Sequence, residues 1–298
     1  MKHTLARLVF MACTACAVCT PPRLAHADEP VATPPVRFVL TFDDGPDGRE
    51  QGNPTASILD ALAENPTQQG IKAIFFVQTR SSDGGATVRG RGLLERSHTQ
   101  GHMLALHDGS SLGHPNHCKL SDAALAQSLG DGLADLMAIV GRPITMLRPP
   151  YWAYDERTLA AYGRHGLEIL LTDLSANDGK VRGYHGSPRR RSHMAGQLTQ
   201  VQERMQRDEI PGADGATPIV VTLHDTNDYT AEHMQEYLQM LVDEAGRAGL
   251  TLAAKPFYDD RATLERAALV RARDIRHRAD MVPGIWPWFH WIFRACQH

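Results

Sequence analysis

The sequence has no excess of positive charge. Its 298 residues carry 31 Lys and Arg against 34 Asp and Glu, which gives a formal net charge of −3. A dedicated nucleic-acid binder would show a basic surplus, because it neutralises phosphates with Lys and Arg. The 42 % of hydrophobic residues and 22 % of charged residues are typical of a globular protein of one large domain or two small ones. The composition therefore disfavours a nucleic-acid partner and leaves an enzyme open.

The apolar run near the start of the sequence is too short to cross a membrane. A spanning helix needs about 20 apolar residues, whereas the run at residues 8–19 has 12. That run follows Lys2 and Arg7 and precedes a small-x-small site ending at Ala27. This order is typical of a cleaved signal peptide. We therefore expect residues 1–27 to be removed, no membrane span, and a mature protein that is periplasmic or secreted.

Cysteine is scarce in the predicted mature chain. Three of the five cysteines, Cys13, Cys16 and Cys19, belong to the signal peptide, so only Cys118 and Cys296 remain. In an oxidising compartment these two could form a disulfide, or each could be a buried thiol. The sequence leaves that pairing open.

The mature chain divides into three parts by composition. A Pro-rich linker is expected at residues 28–36, the main domain at 37–258, and a C-terminal extension at 259–298. The extension is helical and Arg-rich at first and then Trp-rich at 281–293. Thirteen residues cannot span a bilayer. We expect this Trp-rich segment to pack against the main domain, with a glycan or a bilayer surface as the alternatives.

Apolar runs alternate with helical patterns along the main domain. Parallel strands covered by helices on both faces read as such runs. The pattern predicts an α/β fold, a barrel related to the (β/α)₈ kind, although a doubly wound sheet would give a similar pattern. The predicted strands are residues 37–42, 71–78, 102–106, 145–147, 167–172, 218–223 and 250–255. The predicted helices include residues 55–64, 121–140, 155–165, 194–208 and 229–248.

Polar side chains follow most of these strands at their carboxyl ends. Those ends form one rim of a barrel, where active sites lie. A carboxylate with two imidazoles is a ligand set of catalytic Zn²⁺, while a second carboxylate and a further His supply base and acid. The pattern predicts metal-assisted hydrolysis of an acyl bond. The residues at the strand ends are Asp43, Asp44, His107, Asp108, Arg148, Tyr151, Asp173, Asp178, His224 and Asp225.

The run Thr-Phe-Asp-Asp-Gly-Pro at residues 41–46 resembles the first motif of the NodB-homology polysaccharide deacetylases, carbohydrate esterase family four. Later motifs follow in the family's order up to residue 255. The resemblance implies a distorted (β/α) barrel, a divalent cation (Zn²⁺, or another such as Co²⁺) and an acetylated glycan as substrate. By position, Asp43 resembles the general base and Asp44 the first metal ligand.

The second motif departs from the family pattern. The resemblance implies that His107 and His114 bind the metal, with six residues between them instead of three. The usual spacing puts both rings on one helical turn, so here a loop must bring them together. Asp108 replaces the usual Thr or Ser, and His117 is an alternative to His114. A literal match at residues 98–102 precedes the strand, and we interpret it as a decoy.

The remaining motifs supply residues around the reacting group. The resemblance gives Arg148 the role of orienting Asp43, and gives the backbone N–H of Tyr151 the oxyanion. Trp152 stands where Gly is common, and we hypothesise that it replaces an aromatic wall missing from the fourth motif. The fifth motif implies that Leu223 lines the acetyl pocket.

The acid and its partner come from the fourth and fifth motifs. The resemblance makes His224 the general acid and Asp178 the carboxylate that orients it, with Asp173 as the alternative. These implications predict an exported deacetylase that removes N- or O-acetyl groups by metal-activated water. The alternatives are a non-catalytic glycan-binding protein on a decayed scaffold and a hydrolase of a small cyclic amide. The sequence leaves the polymer and the oligomeric state open.

Overall fold

The computed structural model of the chain describes residues 33–178 and 190–273, without the side chains of Arg190 and Arg273. The predicted signal peptide and the Trp-rich segment lie outside the described residues, so both stay predictions. Cys118 is disulfide-bonded. Whether its partner is Cys296 stays open, because Cys296 is also outside the described residues.

Eight strands and eight α-helices, mostly in alternation, make up the described part of the chain. The strands are β1 (Val36–Asp43), β2 (Ile74–Gln78), β3 (Met103–Asp108), β4 (Met146–Leu147), β5 (Glu168–Ile169), β6 (Leu174–Ser175), β7 (Thr217–His224) and β8 (Leu252–Phe257). The helices are α1 (Pro54–Ala63), α2 (Val88–Thr99), α3 (Asp122–Val140), α4 (Glu156–Arg164), α5 (Arg190–Gln206), α6 (Asp228–Glu232), α7 (Met234–Arg247) and α8 (Arg261–Arg273).

All strand pairs of the sheet are parallel, in the order β5-β4-β3-β2-β1-β7-β6, with β8 paired to the start of β1. Strand β1 is central: it pairs with β7 along its whole length, and this register sets Asp43 beside His224. The expected fold, a distorted (β/α) barrel, is confirmed.

One predicted strand is confirmed only in part. Of residues 167–172, only Glu168–Ile169 form a strand, β5, and the next strand, β6, begins at Leu174. In the gap, the side chain of Asp173 accepts a hydrogen bond from the backbone N–H of Val220 at 2.8 Å. A side chain thus takes the bond that a strand carbonyl would accept, and the ladder is interrupted there.

The strands are apolar because both faces of the sheet are buried. Alternate residues of a strand point to opposite faces, so Leu40 packs in the layer under the surrounding helices while Val39 points to the inner face. On that inner face Leu264, Ala267 and Ala268 of α8 pack against the sheet. The first part of the predicted C-terminal extension therefore belongs to the barrel core.

Helix α3 begins and ends as its sequence predicts. Ser121 caps its first turn by accepting a hydrogen bond from the backbone N–H of Ala124, and Gly141 ends it in the left-handed conformation at φ 74°. By length and hydropathy, α3 is the one helix among the described residues that could cross a membrane. Its Leu125 and Leu129 are buried in the barrel core.

Candidate metal and catalytic site

The two adjacent carboxylates at the end of β1 point in different directions. Asp43 closes the strand and is buried, whereas Asp44 adopts a left-handed conformation at φ 75°. Asp tolerates that conformation better than most residues. Gly45 follows, and a Cβ there would lie 2.1 Å from the carboxylate of Asp225, so only glycine fits. The turn therefore presents both carboxylates at the carboxyl rim of the barrel.

Asp44, His107 and His114 form a compact cluster. Oδ1 of Asp44 lies 3.2 Å from Nε2 of His107 and 3.2 Å from Nε2 of His114, and the two nitrogens lie 3.0 Å apart. Ligand atoms of a tetrahedral zinc ion, bound at 2.0–2.1 Å, are about 3.3 Å apart. Within the described residues this is the one His/Cys/Asp/Glu group with such spacing. The three side chains therefore fit a divalent cation.

The protonation of His107 is set by its second ring nitrogen. Nδ1 lies 2.7 Å from the backbone carbonyl of Arg148. A carbonyl only accepts, so Nδ1 carries the hydrogen, and the lone pair of the neutral ring is on Nε2. That lone pair faces the carboxylate of Asp44 and the ring of His114. Converging acceptor atoms repel one another unless a proton or a cation lies among them.

Burial and neighbouring charges shift the pKa values of all three residues of the cluster. Burial lowers the pKa of His107, but the hydrogen bond with Asp44 and the charge of Asp43 outweigh it, so the pKa is raised. Burial and the charge of His107 lower the pKa of His114 to about 4. Although burial raises the pKa of Asp44, the hydrogen bond and charge of His107 lower it below its usual range. At neutral pH Asp44 is ionised and His114 offers a lone pair.

Arg148 fixes the orientation of Asp43. The guanidinium is fully buried, and its Nη1 lies 2.7 Å from Oδ1 of Asp43 and 2.7 Å from Oγ1 of Thr41. Its Nε donates to the carbonyl of Leu170 at 2.9 Å, and the group lies over the ring of Phe76. Because partners hold the guanidinium on several sides, the carboxylate bound to it has little freedom to rotate.

His224 is held from behind by Asp178. Its Nδ1 lies 2.8 Å from Oδ1 of Asp178, while Oδ2 accepts from the backbone N–H of His224 and from Thr230. Burial lowers the pKa of His224, but the charge and hydrogen bond of Asp178 raise it to about 10. Nε2 points toward the cluster, 3.9 Å from Oδ2 of Asp44. Asp173, the alternative partner, is instead buried between two arginine side chains.

The alternative histidines lie outside the cluster. Both ring nitrogens of His117 are engaged, Nε2 with Asp108 at 3.1 Å and Nδ1 with the hydroxyl of Tyr162 at 2.9 Å. In the literal motif match, Nδ1 of His102 accepts from the backbone N–H of Ala73, and His98 contacts an arginine. The geometry thus separates His114 from these rings, which the spacing alone does not do.

The third motif forms a strained wall of the site. Tyr151 and Trp152 have φ values of 59° and 60°, which are unusual for aromatic residues. The ring of Tyr151 lies 4.4 Å from the ring of His114, and that of Trp152 lies 4.9 Å from the guanidinium carbon of Arg148. Leu223, beside His224 in β7, is buried. The tyrosine is half-exposed, so this wall borders solvent.

Gln78 also contacts the cluster, although it is not among the predicted site residues. Its Nε2 donates to Oδ1 of Asp44 at 3.0 Å, the same oxygen that faces both imidazoles. The sequence does indicate this position, because Gln78 is the last residue of a predicted strand and so lies at the rim. Asp225 lies directly behind the same turn. Its carboxylate fills the space that a Cβ of Gly45 would need, and it accepts a hydrogen bond from the hydroxyl of Thr55 at 2.9 Å.

One rim of the parallel barrel carries a carboxylate–imidazole cluster that could hold a metal ion, a buried Asp–Arg pair and a His paired with a buried Asp. These groups are the kind found in barrel hydrolases. The model of the family described as "Polysaccharide deacetylase" matches residues 31–170. The expected resemblance to the polysaccharide deacetylases is confirmed over these residues, which make up slightly less than half of the chain.

Three relatives illustrate the similarity. The chain is 28 % identical over 146 residues to a chitin deacetylase of Pestalotiopsis sp, which covers 49 % of this chain and 44 % of the relative. It is 28 % identical over 206 residues to the peptidoglycan-N-acetylglucosamine deacetylase PgdA of Listeria monocytogenes. This match covers 69 % of this chain and 36 % of the relative. The chain thus spans less than half the length of these curated relatives. The structure of the chitin deacetylase from Colletotrichum lindemuthianum superposes with a TM-score of 0.54 at 23 % identity, covering 74 % of this chain and 86 % of that chain.

Proposed function

We propose that the protein is a polysaccharide deacetylase that hydrolyses N- or O-acetyl groups of a glycan. The observation that carries this proposal is the meeting of three separately held groups at one rim. Asp43 is paired with Arg148, His224 with Asp178, and the cluster of Asp44 and two imidazoles lies between. A base, an acid and a cation site are the parts that hydrolysis of an acyl bond requires.

Asp44, His107 and His114 would hold the divalent cation, Zn²⁺ or another such as Co²⁺. When bound, such a cation lowers the pKa of a coordinated water and polarises an acyl carbonyl. Carboxylate oxygen and imidazole nitrogen both suit this class of metal. Three protein ligands also leave a position open, as catalytic zinc sites do.

Asp43 is the base in this proposal. Arg148 binds Oδ1, and we assign Oδ2 as the atom that takes the proton from the attacking water. The water oxygen bonds to the acetyl carbon, and the charge that develops on the carbonyl oxygen is stabilised by the backbone N–H of Tyr151. One such preorganised donor contributes about 3 kcal/mol to transition-state stabilisation.

His224 completes the reaction as the acid. A pKa of about 10 keeps its ring protonated at neutral pH, so Nε2 can deliver a proton to the departing amine or alcohol. The bond from the acetyl carbon to that group breaks, and acetate and the free glycan group are released. In this proposal Leu223 and Trp152 line the pocket for the acetyl methyl group.

The predicted export signal and the relatives' names support a periplasmic or secreted protein with a substrate outside the cytoplasm. The relatives act, by name, on chitin and on peptidoglycan N-acetylglucosamine. The test is acetate release by purified protein from a panel of acetylated glycans, with and without chelator. Chelator-sensitive release supports the proposal. Glycan binding without release in added Zn²⁺ or Co²⁺ contradicts it and favours a binding protein, whereas ring opening of a cyclic amide favours the other alternative.

A further inference from the structure

One buried carboxylate closes the loop that carries His114. We call residues 108–117 the ligand loop. Oδ2 of Asp108 accepts hydrogen bonds from the backbone N–H of Ser110 at 2.7 Å and from its hydroxyl at 2.6 Å. Oδ1 lies 3.1 Å from Nε2 of His117 at the other end of the loop. The side chain of Asp108 is fully buried and thus ties both ends of the loop together.

Two side chains, Ser128 of α3 and Tyr162 of α4, anchor the ligand loop to helices. The hydroxyl of Ser128 on α3 donates to Oδ1 of Asp108 at 2.7 Å and accepts from the backbone N–H of Gly109 at 3.1 Å. A Cβ at Gly109 would lie 2.1 Å from the carbonyl oxygen of Ser128, so the close approach requires glycine. Since Nε2 of His117 donates to the carboxylate, its Nδ1 accepts from the hydroxyl of Tyr162 on α4.

We propose that Asp108 is a positioning residue that sets the separation of His107 and His114 at the metal centre. The inference rests on the proposed function, because it takes Asp44 and these two imidazoles as ligands. Four donated hydrogen bonds occupy Asp108, so it is not itself a ligand.

The physical reason is the length of the ligand loop. A helical turn would fix the distance between the two rings through its own backbone. A loop of this length does not fix that distance, so it must lose conformational freedom when His114 reaches the ion. Anchors at Ser110 and His117 restrict the loop before the ion arrives. Loss of a residue that positions metal ligands without binding the metal itself typically lowers metal affinity by about 10- to 100-fold.

The test is Zn²⁺ affinity by chelator competition on the purified protein. Asp108→Asn replaces one carboxylate oxygen, an acceptor, by an amide NH₂ group. Its two N–H donors would face the donors of Ser110, His117 and Ser128. His117→Phe keeps a ring but removes the hydrogen bond. We expect each to weaken Zn²⁺ binding about 10-fold or more and to alter the visible spectrum of the Co²⁺-loaded protein. In the double variant the losses should be less than additive, because both remove the same link.

Asp173→Asn is the matched control. It alters a buried carboxylate with arginine partners in the same barrel. It should lower the melting temperature without changing Zn²⁺ affinity or the Co²⁺ spectrum. If Asp108→Asn does not fold, Ser128→Ala and His117→Phe decide the question.

The outcomes separate this inference from the proposed function. An unsubstituted protein that binds no Zn²⁺ overturns the proposed metal centre itself. A protein that binds Zn²⁺, with folded Asp108 and His117 variants of unchanged affinity and spectrum, overturns only the positioning role. An equal loss of affinity in Asp173→Asn also overturns it, because general destabilisation would then explain the effect.

Discussion

Arg148 and His107 are joined by a 2.7 Å hydrogen bond from Nδ1 of the imidazole to the backbone carbonyl of the arginine. The side chain of the same arginine binds Asp43 at 2.7 Å. One buried residue therefore orients both the proposed base and a proposed metal ligand. A displacement of Arg148 should affect both.

Asp43→Asn tests the division of labour between the two adjacent aspartates. The amide cannot take a proton from water, so acetate release should fall by about 100- to 10,000-fold, the usual contribution of a general base. Zn²⁺ content should stay at the level of the unsubstituted protein, since Asp43 lies outside the three-ligand cluster. His107→Ala is the comparison and should lose both. Loss of the metal in Asp43→Asn would mean that the two roles are exchanged.

Asp178→Asn tests the acid. Because Asp178 raises the pKa of His224 to about 10, removing its charge lowers that pKa. His224 then loses its proton at lower pH, and the alkaline limb of kcat/KM should move toward neutral pH. The profile of kcat/KM against pH, which reports groups of the free enzyme, checks this. An alkaline limb at the same pH in both proteins would remove His224 from the role of acid.

Gln78→Leu tests the amide contact to Asp44. The substitution keeps the volume but removes the donor to Oδ1. We expect about 10-fold weaker Zn²⁺ binding, as for other groups that orient a ligand. Gln78→Asn is the companion variant, with a shorter side chain that still carries the amide. Chelator competition on both measures the effect, and an affinity unchanged in Gln78→Leu would show that the contact does not orient the ligand.

Asp225 gives a prediction about stability and pH. Burial first, and then the charge of Asp44, raise its pKa from 3.8 to about 7. The folded state keeps a proton that the unfolded chain releases, so this group's contribution to the free energy of unfolding falls as pH rises from about 4 to 7. Denaturant unfolding of Asp225→Asn should show a weaker decline over that interval. An identical pH dependence in both proteins would contradict the raised pKa.

Much of the fold follows from the sequence, because buried parallel strands are nearly continuous apolar runs. Helix α2 was not among the predicted helices, since it buries little apolar surface beyond Leu93 and Leu94 and contains two glycines. The break between β5 and β6 depends on the hydrogen bond between the side chain of Asp173 and the backbone N–H of Val220, which lies far along the chain in β7. Local pattern carries no information about that contact.

The sequence predicts which side chains lie together at the rim, but it does not decide between the alternative residues. The position of polar residues after strands indicates which side chains meet at the rim, and Gln78 obeys the same rule. Spacing alone does not separate His114 from His117, because the difference lies in which ring nitrogens are already engaged. The nitrogens of His117 are held by Asp108 and Tyr162, which only the folded chain brings together.

The central claim is that Asp44, His107 and His114 hold a divalent cation on which deacetylation depends. The most direct measurement is a Zn²⁺ titration of metal-free protein that follows bound metal and acetate release from an acetylated glycan together. We predict that both rise in parallel and saturate at one Zn²⁺ per chain, and that His114→Ala shows neither while His117→Ala retains residual binding. Acetate release that is independent of added metal, or Zn²⁺ binding that survives in His114→Ala, would contradict the account.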